Sequence, residues 1–163
     1  MSLAAIALGS NLGDREVNLR DAIARIGALG SVRAVSSFYD TAPVGYIEQP
    51  RFLNAALLLE TALSPLDLMA ALLSIERALG RDRTMSPAKG PRTVDLDLLL
   101  YDGLTIHTPA SGIQPALTLP HPEMHLRGFV LAPLAEIAPE MVDPASGRTI
   151  AQMLAELSIG RSE

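Results

Sequence analysis

Apolar and polar positions along the chain switch between two periods, and the switches mark out the elements. Leu3–Leu8 is an apolar run closed by Gly9-Ser10-Asn11-Leu12-Gly13-Asp14, which predicts a strand entering a turn. Leu19, Ile23 and Ile26 recur at helical spacing within Glu16–Leu29, and Gly30 supplies the stop. Val32–Tyr39 alternates as a strand, Thr41–Arg51 is irregular around Pro43, Gly45 and Pro50, and Phe52–Glu60 returns to a strand pattern. Ser64-Pro65-Leu66-Asp67 predicts a helix start, with Ser as the cap and Pro in the first turn. Leu68, Leu72, Ile75 and Leu79 form its apolar stripe, and Gly80 suits a left-handed end. Val94–Tyr101 is a further strand, and Asp102-Gly103 predicts a hairpin back through Leu104–Ile106. Thr108–Pro120 reads as loop, Arg127–Ile137 as a helix despite Pro133, and Ile150–Leu157 as a short terminal helix. The order β-α-β-β-α-β plus C-terminal additions predicts an α+β, ferredoxin-like sandwich, with helices over one face of a mainly antiparallel sheet.

One strand breaks its own apolar pattern. In Gly90-Pro91-Arg92-Thr93-Val94-Asp95-Leu96-Asp97-Leu98-Leu99-Leu100-Tyr101, two carboxylates stand at i and i+2 and share one face, while Val94, Leu96 and Leu98 share the other. The run Leu98–Tyr101 implies an interior strand. Two neighbouring buried anions need a cation between them, and a hard divalent ion with oxygen ligands meets that need. Arg92 just upstream suggests phosphate nearby. A solvent-facing or salt-bridged structural pair is the alternative for a bare Asp-x-Asp.

Composition narrows the classes. The 163 residues suffice for one domain, read as 1–163, with a sizeable core. There is no Cys, which removes disulfides, thiolate metal sites and a Cys nucleophile. No apolar run is long enough to span a bilayer, and no signal-like segment opens the chain, so a cytoplasmic protein without a membrane partner is expected. The net charge of −5 disfavours a nucleic-acid partner. Against that background Arg81–Arg92 carries four basic residues (Arg81, Arg83, Lys89, Arg92) and one acidic, which suits a small anionic ligand or a solvated loop.

Three other segments carry candidate chemistry. Gly9–Gly13 lacks the following Gly-Lys-Ser/Thr of a phosphate loop and reads as a turn. Leu119-Pro120-His121-Pro122-Glu123-Met124-His125 is not a His-Glu-x-x-His zinc motif, and Pro122 opposes the helix that would align both His. His121 beside Arg127 suits phosphate oxygens instead. Phe52 and Phe129 stand out among only three Phe, three Tyr and no Trp. Asn54, two residues past Phe52, faces the same way, so ring and amide together suit a planar heterocycle; two core phenylalanines are the plain alternative.

Taken together, these segments resemble the 6-hydroxymethyl-7,8-dihydropterin pyrophosphokinase family. The resemblance rests on Ala7–Gly13, Ser36–Pro43, Pro50–Ala56, Gly90–Asp97, and Pro120-His121 through Arg127-Gly128-Phe129, in the family's order over nearly the whole chain. It implies transfer of the pyrophosphoryl unit of ATP to the pterin hydroxymethyl group, releasing AMP, with ATP as co-substrate. Asp95 and Asp97 would bind two Mg2+ ions, and Arg83 and Arg92 would be catalytic with them. Arg81, Arg83, Arg92, Leu98, His121 and Arg127 would bind ATP. Phe52 and Phe129 would flank the pterin, read at its edge by Asn54, Thr41, Ala42 and Val44. Gly45–Gln49 and Arg81–Lys89 would act as lids, and Glu76 is either near the nucleotide or a helix-surface acid. The chain would act as a monomer on small molecules. It departs from the family in Lys89 where Trp is common, in Pro122 where an aromatic is common, and in an insertion over Ala110–Ala116.

Two other classes stay open on sequence alone. One is a nucleotidyl or phosphoryl transferase using the same two-aspartate logic without pterin selectivity. The other is a non-catalytic ligand or RNA module on a ferredoxin-like sheet, against which the acidic charge and the missing aromatic RNA-binding signature argue.

Overall fold

The computed structural model describes residues 1–42, 50–80 and 93–161. Its main sheet holds β1 (Ser2–Ser10), β2 (Ser31–Val35), β3 (Tyr39–Thr41), β4 (Phe52–Thr61) and β5 (Asp95–Tyr101). The path is β2-β4-β1-β5, every pair is antiparallel, and β3 takes the remaining end of β4. The helices are α1 (Arg15–Ile26), α2 (Pro65–Ala78), α3 (Gly128–Ile137) and α4 (Ile150–Arg161). The hairpin β6 (Ile106–Thr108) and β7 (Leu117–Leu119) forms a separate two-stranded sheet.

Local chemistry sets the helix ends. Asp14 caps α1 by accepting from Val17 N at 3.1 Å, and Ser64 Oγ caps α2 by accepting from Asp67 N at 3.2 Å. Gly80 follows α2 at φ +94, a conformation that favours glycine.

Two cores sandwich the sheet. On one face Leu8, Leu57, Leu59 and Leu96 pack with Leu19 and Ile26 of α1 and Leu68 and Leu72 of α2. On the other, Ala5, Ala7 and Ala56 present a low surface on which Val130, Leu131 and Leu134 of α3 and Ile150 and Met153 of α4 rest. Burying each large aliphatic side chain stabilises the fold by about 2 kcal/mol. The expected helices over one face are therefore corrected: the C-terminal helices cover the second face, because its row of alanines leaves room for α3.

Four further expectations are corrected. The strand expected over Val32–Tyr39 is two strands, broken at Ser36, whose Oγ accepts from Ala56 N at 2.9 Å and donates to Ser37 O at 2.7 Å. Asp102-Gly103 makes a turn, closed by Leu104 N on Tyr101 O at 3.1 Å, but β6 then pairs with β7 and not with β5. The stretch expected as loop up to Pro120 contains β7, where Leu117 and Leu119 are buried. Finally, β5 is an edge strand of the sheet. It stays buried because Glu76 Oε2 accepts from Leu96 N at 2.7 Å and Leu99 O accepts from His121 N at 2.9 Å.

Candidate active site

The strand register assembles the site across four strands. Asp95 pairs with Gly9, Gly9 with Asn54, and Asn54 with Tyr39. Directly paired residues share a face, so Asp95, Asn54 and Tyr39 rise on one side of the sheet with Gly9 between them. Asp97 opposite Ala7, and Phe52 opposite Thr41, extend the same face by period two. This is the face that α3 and α4 cover; α3 begins at Gly128, and Phe129 in its first turn packs, partly buried, against the same core. Both aspartates and both Phe are half-buried.

Gly9 is the floor. A Cβ there would stand 3.0 Å from Asn54 Oδ1 and 3.6 Å from Phe52 Cδ1. Asn54 is itself oriented, since its Nδ2 donates to Thr41 Oγ1. Two strand spacings, about 10 Å, separate the Asn54 end of this floor from Asp95.

The anion side forms around one short turn. His121 Nδ1 accepts from Glu123 N at 3.2 Å, which leaves the ring proton on Nε2. Burial, and then the charge of Arg127, hold His121 below its ordinary pKa, against the opposite pull of Glu123 and Asp95. Its ring is thus a neutral N–H donor near pH 7. Arg127 pairs with Glu123 and lies 5.7 Å from the centroid of the Phe129 ring, linking the cationic and aromatic parts of the site.

Several sequence expectations are refined. The side chain of Leu98 is 3% exposed in the first core, so only its main chain can meet a nucleotide. Glu76 is 2% exposed, which removes the helix-surface alternative. Ala42 directly follows β3 at the pocket edge. Val44, Arg81, Arg83, Lys89 and Arg92, with the two expected lids, lie outside the described residues. A cavity of about 320 Å³ beside His121 also meets His107, His125 and the buried Asp143. Among the described residues no three His, Cys, Asp or Glu side chains are placed to hold a metal together. Sequence reasoning missed Gly9 as a floor and Glu123 as the partner of Arg127. The i, i+4 spacing of Glu123 and Arg127 was the available signal for the second.

The donor set nevertheless fits magnesium. That ion is commonly held by one or two carboxylates, with phosphate and water oxygens completing its shell. Asp95 and Asp97 are such a pair, half-buried on one face of β5.

Residues 5–139 match the 7,8-dihydro-6-hydroxymethylpterin-pyrophosphokinase (HPPK) family. The chain belongs to that family. A 2-amino-4-hydroxy-6-hydroxymethyldihydropteridine pyrophosphokinase of Bacillus subtilis is 46% identical over 147 residues, spanning 89% of this chain and 83% of the relative. Its counterpart in Methylorubrum extorquens is 42% identical over 159 residues, spanning 96% and 94%. Among solved structures, an HPPK-DHPS of Plasmodium falciparum superposes with a TM-score of 0.82 at 16% identity, over 99% of this chain and 45% of that one. An HPPK-DHPS in complex with substrates gives 0.79 at 15% identity, over 98% and 44%. At such identities the likeness is one of fold, and this HPPK-family chain spans under half the length of those two proteins. Among the described residues no helix is long and apolar enough to cross a membrane.

Proposed function

We propose that this chain transfers the pyrophosphoryl group of ATP to the hydroxymethyl group of 6-hydroxymethyl-7,8-dihydropterin, in folate biosynthesis, at the Asn54–Asp95 end of the α3/α4 face. The row from Asn54 across Gly9 to Asp95 carries this reading. Its polar amide, flat floor and carboxylate fit a bicyclic heterocycle with a one-carbon arm. The ring lies on Gly9 between Phe52 and Phe129, Asn54, Thr41 and the main chain of Ala42 and Val44 read its edge, and the hydroxymethyl reaches Asp95.

The hydroxymethyl oxygen attacks the β-phosphorus of ATP. A new O–P bond forms, the bond between Pβ and the bridging oxygen on the α side breaks, AMP leaves, and the hydroxyl proton is released. Asp95 and Asp97 would hold two Mg2+ ions, which when bound would neutralise phosphate charge and make the hydroxyl easier to deprotonate. His121 donates from Nε2 to a phosphate oxygen, with Arg81 and Arg127 completing the anion site. Arg83 and Arg92 offset charge that grows on the transferring group. The chain works as a single cytoplasmic domain over 1–163, as a monomer, without nucleic acid or membrane.

Incubation with ATP, Mg2+ and the hydroxymethyl pterin, followed by chromatography, tests this. AMP and the pterin diphosphate should appear in equal amounts, only when both substrates are present. Formation of ADP or free pyrophosphate without pterin consumption overturns it.

A further inference from the structure

Helix α3 carries Phe129 near its start and Glu136 near its end, seven residues apart and so on the same side of the helix. Glu136 is tied to the β3 edge of the same face. Its Oε1 accepts from Tyr39 Oη at 2.7 Å, and its Oε2 accepts from Ser37 N at 2.9 Å and Ser37 Oγ at 3.1 Å. Tyr39 opens β3, and Thr41, two residues on and on the same face, accepts the hydrogen bond of Asn54. One carboxylate therefore joins the helix that carries Phe129 to the strand that carries Thr41.

We propose that Glu136 is a positioning residue of the pterin pocket, setting the distance and tilt of Phe129 relative to the Thr41–Asn54 edge. This rests on the reading of Phe129 and Thr41 as pterin contacts. The bond with Tyr39, followed by that with the Ser37 amide, holds Glu136 below the ordinary carboxylate range, while the same partner raises the Tyr39 phenol. An ionised acceptor on a neutral phenol is thus maintained across the neutral range. The contact adds little to global stability, because Val130, Leu131 and Leu134 already seat α3 on the second core and the tie itself is exposed. What it supplies is alignment, and small misplacements are felt at a stacking site.

Steady-state kinetics on Glu136→Ala, Tyr39→Phe and the double variant, with each substrate varied in turn, test the proposal. Glu136→Ala should raise the pterin KM about fivefold, the scale of losing an exposed charge-assisted hydrogen bond. Tyr39→Phe should raise it by a smaller factor, and the double variant should match Glu136→Ala alone because both act through one contact. The ATP KM and the melting temperature should stay near those of the parent. An unchanged pterin KM in Glu136→Ala, an equal rise in both KM values, or a double variant equal to the product of the singles would overturn it. Phe129→Ala separates the two levels of failure. If it raises the pterin KM while Glu136→Ala does not, only the tie falls; if Phe129→Ala has no effect, the pterin reading beneath it falls as well.

Discussion

The two sides of β5 meet different fates over the same few residues. Leu96 and Leu98 enter the core shared with α1 and α2, where they are 0% and 3% exposed. Asp95 and Asp97 point the other way, to the face on which α3 begins only at Gly128. The closed side makes the open side exact: carboxylates on a strand pinned by packed leucines cannot drift, so the anions are placed before any ligand arrives. Activity and stability should therefore separate cleanly by parity along one strand.

Asp97→Ala should break function alone. Turnover at saturating Mg2+ is expected to fall about a thousandfold or more, with the melting temperature near that of the parent. Near-normal turnover would sink the metal assignment. The neighbouring change Leu96→Ala should do the reverse, lowering unfolding free energy by about 2–5 kcal/mol in denaturant titration while leaving the folded fraction active. A Leu96→Ala protein of parental stability would refute the division between the faces.

That division was largely legible in the chain, because a period of two is local information. The alternation Leu96-Asp97-Leu98 gave the faces, Ser64-Pro65 and Gly80 gave the limits of α2, and the match of Phe52 with Asn54 gave one side of the pocket. What was not legible is pairing between distant segments. No local pattern says that Gly9 sits between Asn54 and Asp95, that β6 leaves β5 for β7, or that α3 turns back over a row of alanines. Those are decided by register and by which faces can close against each other. For the same reason the apolar end of β5 resembled an interior strand. Its edge is sealed by Glu76 and by the main chain of His121, partners 20 or more residues away in sequence.

The floor of the open face offers a finer test. In Gly9→Ala the added methyl presses on Asn54 Oδ1 at 3.0 Å. The amide must shift from Thr41 or the ring must rise, and either should raise the pterin KM about tenfold while leaving the ATP KM alone. The same rise on the ATP side would show that the floor serves the nucleotide instead.

The smallest expected effect lies at the rim, where the open face meets the anion site. Burial, and then the charge of Arg127, hold the folded-state pKa of His121 below that of a free imidazole, which keeps the ring neutral. A depressed value means that the unfolded chain takes up the proton first as pH falls. The ring's contribution to stability is then present above the unfolded pKa and lost as pH drops through the folded one. Nitrogen-15 spectra of the imidazole at pH 7 should show a protonated Nε2 and a bare Nδ1, as the bond from Glu123 N requires. Arg127→Ala should move the titration upward by removing a repelling charge, whereas Glu123→Gln should move it further down by removing an attracting one. A ring protonated on Nδ1 in the parent would end its role as an Nε2 donor to phosphate. An Arg127→Ala titration that moved downward would show that solvent exposure, and not the guanidinium, governs this rim.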